Sequence, residues 1–102
     1  LWPRTTIDTA AVRNLLGGEA LARVSRRPEI VADAAAAILA KGTDFTAWFC
    51  LDDLVLAAAG VTDFDAYAVT PGERLQLDFF VPEGAPEPEA AGGMVGWRAP
   101  RL

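Results

Sequence analysis

The chain has 102 residues, 52 % of them hydrophobic, and a formal net charge of −5, with no histidine and one cysteine. That length holds one domain at most, and the apolar content excludes general disorder. The acidic balance argues against a nucleic-acid partner, the missing histidine excludes imidazole chemistry, and a lone cysteine excludes both an intramolecular disulfide and a cysteine-rich zinc site.

The chain opens Leu1-Trp2-Pro3, without an initiator Met or a basic start leading into an apolar signal core. It reads as a piece of something longer. No apolar run approaches the roughly 20 residues of a membrane span, so no membrane partner is expected. Residues 1–41 carry six basic against four acidic side chains, and residues 42–102 carry three against ten. The basic excess at the front reads as a solvated helix face.

Asp8 to Leu16 is expected to form a short helix. Asp8 is its candidate N-cap, Ala11, Val12, Leu15 and Leu16 form an apolar stripe, and Gly17-Gly18 stops it. Glu19 to Val24 predicts another turn or two. The clearest element is Pro28 to Ala40. Proline suits a first helical position, Glu29 suits the positive end of the helix dipole, and Lys41-Gly42 closes the other end. Ile30, Ala34, Ala37 and Ile38 share one face.

Phe45 to Leu51 is the one convincing strand, and its nearly continuous apolar character suits burial on both faces. Asp52 and Asp53 are expected to cap a short helix that Gly60 ends. Thr62 to Asp65 has the spacing of a capping box. Ala68 to Val81 reads as extended, with a Pro71-Gly72 turn, and 82–102, rich in proline and glycine, as a mobile tail. A buried strand needs neighbours to pair its backbone groups. Apart from Leu1-Trp2 and Leu75 to Phe80 little else is extended, so the rest of the sheet is expected elsewhere.

In order along the chain, five stretches carry a family resemblance: Leu-Trp-Pro-Arg-Thr-Thr-Ile-Asp-Thr-Ala-Ala (1–11), Pro-Glu-Ile-Val-Ala-Asp-Ala-Ala (28–35), Phe-Thr-Ala-Trp-Phe-Cys-Leu-Asp-Asp (45–53), Gly-Val-Thr-Asp-Phe-Asp-Ala-Tyr (60–67) and Asp-Phe-Phe (78–80). Together they resemble the C-terminal third of a short-chain dehydrogenase/reductase, of the hydroxysteroid dehydrogenase-like branch. The likeness covers residues 1 to about 81. It implies an α/β fold class: a C-terminal segment of a doubly wound parallel, Rossmann-type sheet that is not autonomous. Leu1-Trp2 would end the sixth strand, 4–27 would form a substrate lid, 28–40 the last long helix, and 45–51 the seventh strand.

The resemblance also implies site residues. After the sixth strand the family usually reads Pro-Gly-x-Val-x-Thr, whose apolar residue offers backbone groups to the nicotinamide carboxamide and whose threonine bonds the carboxamide or a phosphate. By position Pro3, Ile7 and Thr9 would be cofactor-binding, with NAD or NADP as cofactor, although one extra residue separates Pro3 from Thr9 and Arg4 stands where glycine is usual. Trp2, Leu15, Leu16 and Leu21 would face a small carbonyl or alcohol substrate. In the seventh strand, Thr46-Ala47-Trp48-Phe49 replaces the branch's frequent Thr-Gly-Asn-Phe.

No catalytic residue is expected here. The family's Tyr-x-x-x-Lys is missing, because Tyr67, the only tyrosine, is followed four residues later by Pro71 and the only lysine is Lys41. Gly17-Gly18 is a helix stop rather than a phosphate loop. Asp52-Asp53 and Asp63-Asp65 read as helix caps rather than metal ligands, and Cys50 as a packed core thiol. The partners implied are the missing N-terminal part of the same domain and further copies in a homo-oligomer built on helix 28–40 and the strand, with a cytoplasmic location. The competing reading is a non-enzymatic acidic α+β interaction module.

Overall fold

The computed structural model describes residues 1–98. The chain starts extended, and Trp2 makes a parallel bridge with Leu51. Trp2 N–H donates to the Cys50 carbonyl at 2.7 Å, and Asp52 N–H donates to the Trp2 carbonyl at 2.9 Å. On its other side β1 (Trp48–Cys50) pairs antiparallel with β2 (Gly96–Arg98), in the register Trp48 to Arg98, Phe49 to Trp97 and Cys50 to Gly96.

The strand is shorter than expected because Ala47 takes φ +65°. An L-residue with a left-handed backbone cannot continue a ladder, so Phe45 and Thr46 fall outside it. Phe45 instead stacks on Trp48, with ring centroids 5.7 Å apart. Nor is β1 buried on both faces: Cys50 is buried, but Phe49 is 57 % exposed.

β2 belongs to the stretch expected as a mobile tail, and its pairing corrects that expectation for residues 96–98. Residues 99–102 of the same tail lie outside the described residues. Gly96 makes the pairing feasible, since a Cβ there would sit 1.9 Å from the Phe49 carbonyl oxygen. β2 also covers one edge of β1, the strand expected to share in a subunit contact with helix 28–40.

α2 (Glu29–Leu39) follows the expected bounds closely, starting after Pro28. It lays Ile30 and Ala34 into a core with Cys50, and with Val55 and Leu56 of α3 (Asp52–Ala58). α3 takes Leu51 as its N-cap, so Asp52 and Asp53 lie in the first turn rather than capping it. Tyr67 ties a 3-10 turn (Asp65–Tyr67) to α2 by donating to Asp33 at 2.6 Å. That bond pushes the phenol up to about 12.

The expected helix from Asp8 is a π-helical segment over Val12–Leu16, followed by α1 (Gly18–Arg23). Asp8 does not cap it. Its carboxylate pairs with Arg13, Nε to Oδ1 at 2.6 Å and Nη2 to Oδ2 at 3.0 Å, and this holds Asp8 below the usual carboxylate range. Single bridges knit the loops together: Thr5 with Leu77, Ile7 with Arg26, and Arg26 with Ala68. No helix among the described residues is long and apolar enough to cross a membrane.

Candidate functional site

The segment 2–9 leaves the sheet and is fixed from three directions. Trp2 donates its indole Nε1–H to Asp78 Oδ2 at 2.9 Å and meets Phe80 edge-on at 5.8 Å. With Phe49, Leu51, Phe80, Pro82 and Trp97 it lines an apolar cavity of about 230 Å³. Thr6 Oγ lies 2.6 Å from Ser25 Oγ, and Ser25 spends its own hydroxyl hydrogen on the Leu21 carbonyl. Thr6 is therefore the donor of the pair.

Ile7 occupies the parallel rung with Arg26. Its neighbours make the hydrogen bonds: Arg26 N–H donates to the Thr6 carbonyl at 3.0 Å, and Asp8 N–H to the Arg26 carbonyl at 2.9 Å. In such a rung the middle residue directs its own N–H and C=O to the opposite side. Among the described residues neither group of Ile7 has a backbone partner. Two residues on, the exposed Thr9 accepts Val12 N–H at its hydroxyl, 3.4 Å away, and Arg13 N–H at its carbonyl. The hydroxyl hydrogen of Thr9 remains available to donate.

The residues expected to face a substrate do not converge. Leu15 is 83 % and Leu16 61 % exposed on the π-helical segment, and neither lines the Trp2 cavity. Leu21 is half-buried against Gly17, where an added Cβ would come within 2.7 Å of Leu21 Cβ. Gly17 thus permits the close return of α1 upon the segment before it. Pro3 is half-buried between Trp2 and the inward-turning Arg4.

A buried charge cluster behind this segment was not anticipated. Arg4 Nε donates to Asp53 Oδ2 at 2.5 Å, and Arg26 Nη1 donates to the same oxygen at 3.1 Å. Arg4 Nη2 also donates to the Pro86 carbonyl at 2.5 Å. Asp52 Oδ1 accepts the backbone N–H of Arg4 and of Asp53. Burial pushes the Asp52 carboxyl up to about 6. Arg26 Nε, Asp52 Oδ2 and Asp53 Oδ1 are buried without hydrogen-bond partners among the described residues. The sequence signal was the departure at Arg4, a charge where glycine is usual; nothing periodic links it to Asp53.

No protein-family model matches the chain. It is 48 % identical over 83 residues to hydroxysteroid dehydrogenase-like protein 2 of Xenopus laevis, an alignment covering 81 % of this chain and 20 % of that protein. The corresponding protein of Xenopus tropicalis is 49 % identical over 90 residues, 88 % of this chain and 21 % of its own length. Among solved structures, a short chain dehydrogenase from Mycobacterium thermoresistibile matches with a TM-score of 0.71 and 46 % identity, over 83 % of this chain and 30 % of that one. The chain thus spans about a fifth of the curated relatives it matches.

Proposed function

On the premise that this chain is a segment of the short-chain dehydrogenase/reductase family, we propose that it supplies one wall of a nicotinamide site and a substrate lid in an NAD(P)-dependent oxidoreductase acting on a carbonyl or alcohol. The observation that carries this reading is the unpartnered backbone of Ile7 beside the free hydroxyl hydrogen of Thr9. A carboxamide has one carbonyl acceptor and two N–H donors, and the Ile7 N–H and C=O match it as donor and acceptor. Thr9, two residues on, adds a second donor. When bound, the nicotinamide accepts or supplies the hydride; this chain orients it and contributes no proton-transfer residue.

The lid is residues 4–27. The weak hold of its middle supports the role, since Val12 is the buried residue of the π-helical segment while Leu15 and Leu16 stand in solvent. π-helical turns recur at functional sites, and Gly17-Gly18 gives the segment a hinge. A homo-oligomer belongs to the same reading. With the β1 edge covered by β2, its contact would run over the outer face of α2, where Leu39 is 84 % exposed.

The test is a titration of the full-length protein with NADH and with NADPH. Thr9→Ala is expected to weaken binding by about 1–3 kcal/mol, the range for a lost polar partner. An unchanged dissociation constant for both cofactors removes Thr9 from the site.

A further inference from the structure

Arg4 and Thr5 border a second cavity, of about 570 Å³, lined also by Arg26, Arg74, Gln76 and Glu87 together with Leu75 and Leu77. We propose that this cavity binds the oxyanion of a small organic molecule, a carboxylate or a phosphate, between Arg4, Arg26 and Arg74. Neither Ile7 nor Thr9 lines it, so the proposal stands apart from the nicotinamide reading.

The walls present three guanidinium groups and one carboxylate, that of Glu87. Two of the arginines are built in: Arg4 is 4 % and Arg26 7 % exposed. Both are held by the single oxygen Asp53 Oδ2, and Arg4 is braced further by the Pro86 carbonyl. Such side chains lose little freedom on meeting a ligand, and guanidinium matches the geometry of carboxylate and phosphate oxygens.

Beneath the cavity two guanidinium groups stand beside two carboxylates, and the partners are unevenly shared. One carboxylate serves two guanidinium groups, and Arg26 keeps a buried Nε without any acceptor. Asp52, the neighbouring acid, directs Oδ1 to backbone N–H groups. The unpartnered Asp52 Oδ2, Asp53 Oδ1 and Arg26 Nε are all sealed from solvent, so none of these atoms meets a ligand directly. What lines the cavity is the two arginines, while Asp52 and Asp53 lie outside its lining.

Arg74, exposed and in no ion pair among the described residues, completes the ring from the rim. The volume lies within the range of small-molecule sites and exceeds what a bare ion needs. Leu75 and Leu77 give the wall an apolar portion, which suits an anion carried on an organic body.

The experiment is calorimetric titration of the full-length protein with inorganic phosphate and, separately, with butyrate. Saturable binding of either is expected, and the stronger probe tells a phosphate site from a carboxylate site. Arg74→Gln is expected to weaken it about tenfold or more, the worth of a charge-assisted hydrogen bond. Glu87→Gln is expected to strengthen it. Both side chains are exposed, so thermal unfolding should be unchanged in each variant, which separates lost binding from lost structure. If neither probe binds saturably, or if both variants bind as the parent does, the proposal is overturned.

Discussion

Arg4 Nε and Asp53 Oδ2 meet at 2.5 Å across 49 residues of sequence, with side chains 5 % and 0 % exposed. This pair fastens the segment after Trp2 to the first turn of α3, and Arg26 joins it from the loop before α2. Removing the shared negative charge leaves two guanidinium groups uncompensated in a low-dielectric interior. Asp53→Asn is expected to lower unfolding stability by roughly 3–5 kcal/mol in chemical denaturation. A loss below about 1 kcal/mol would mean that water or Glu87 takes over the acceptor's part.

Asp52 is expected to behave in the opposite way. Its carboxyl is pushed up to about 6, chiefly by burial, so the folded state holds the proton more tightly than the unfolded chain. The stability from that proton is fully present below the ordinary carboxylate pKa and is lost as pH rises through about 6. Asp52→Asn keeps the oxygen that accepts from Arg4 and Asp53 and cannot ionise. Above pH 7 the variant should match or exceed the parent, by on the order of 2 kcal/mol. Stability curves from pH 4 to 8 that stay parallel for the two proteins would contradict this.

Gly96 has no room for a side chain against the Phe49 carbonyl. Gly96→Ala should therefore detach β2 from β1. The bond most directly lost is Leu51 N–H to the Val95 carbonyl, now 3.1 Å. Hydrogen exchange at Leu51 should accelerate by at least an order of magnitude, while α2 amides keep their protection. Equal exchange at Leu51 in both proteins would show that the strand tolerates the methyl group.

Ala47, at φ +65°, is the one non-glycine residue with positive φ among the described residues. It occupies the position where the branch it resembles frequently has glycine. Ala47→Gly should stabilise the protein by about 0.5–1 kcal/mol, since the left-handed backbone costs an L-residue about 1–2 kcal/mol and glycine's extra unfolded-state freedom returns part of the gain. A lower melting temperature would mean that the Ala47 methyl group packs better than its exposure indicates.

Local chemistry wrote α2 into the sequence: Pro28 can begin a helix, Gly42 can end one, and Ile30 and Ala34 recur at the spacing of one face. The order of motifs around Trp2, Pro28 and Phe45 likewise carried the family relationship, and with it the idea that Ile7 and Thr9 serve a cofactor. What no local rule carried was the pairing of β2, because Gly96-Trp97-Arg98 sits in a glycine- and proline-rich stretch and becomes a strand only when β1 offers an edge. The same holds for Arg4, Arg26, Asp52 and Asp53. Read singly they are a departure from a motif, a loop charge and two helix-start acids. Their meeting depends on burial, and a buried charge is stabilised by whichever partner the fold brings close, at a separation the sequence does not encode. Periodicity and capping act within a few residues of chain and are legible there; the carboxylate partner of a buried arginine, 27 or 49 residues away, is set only when the segments pack.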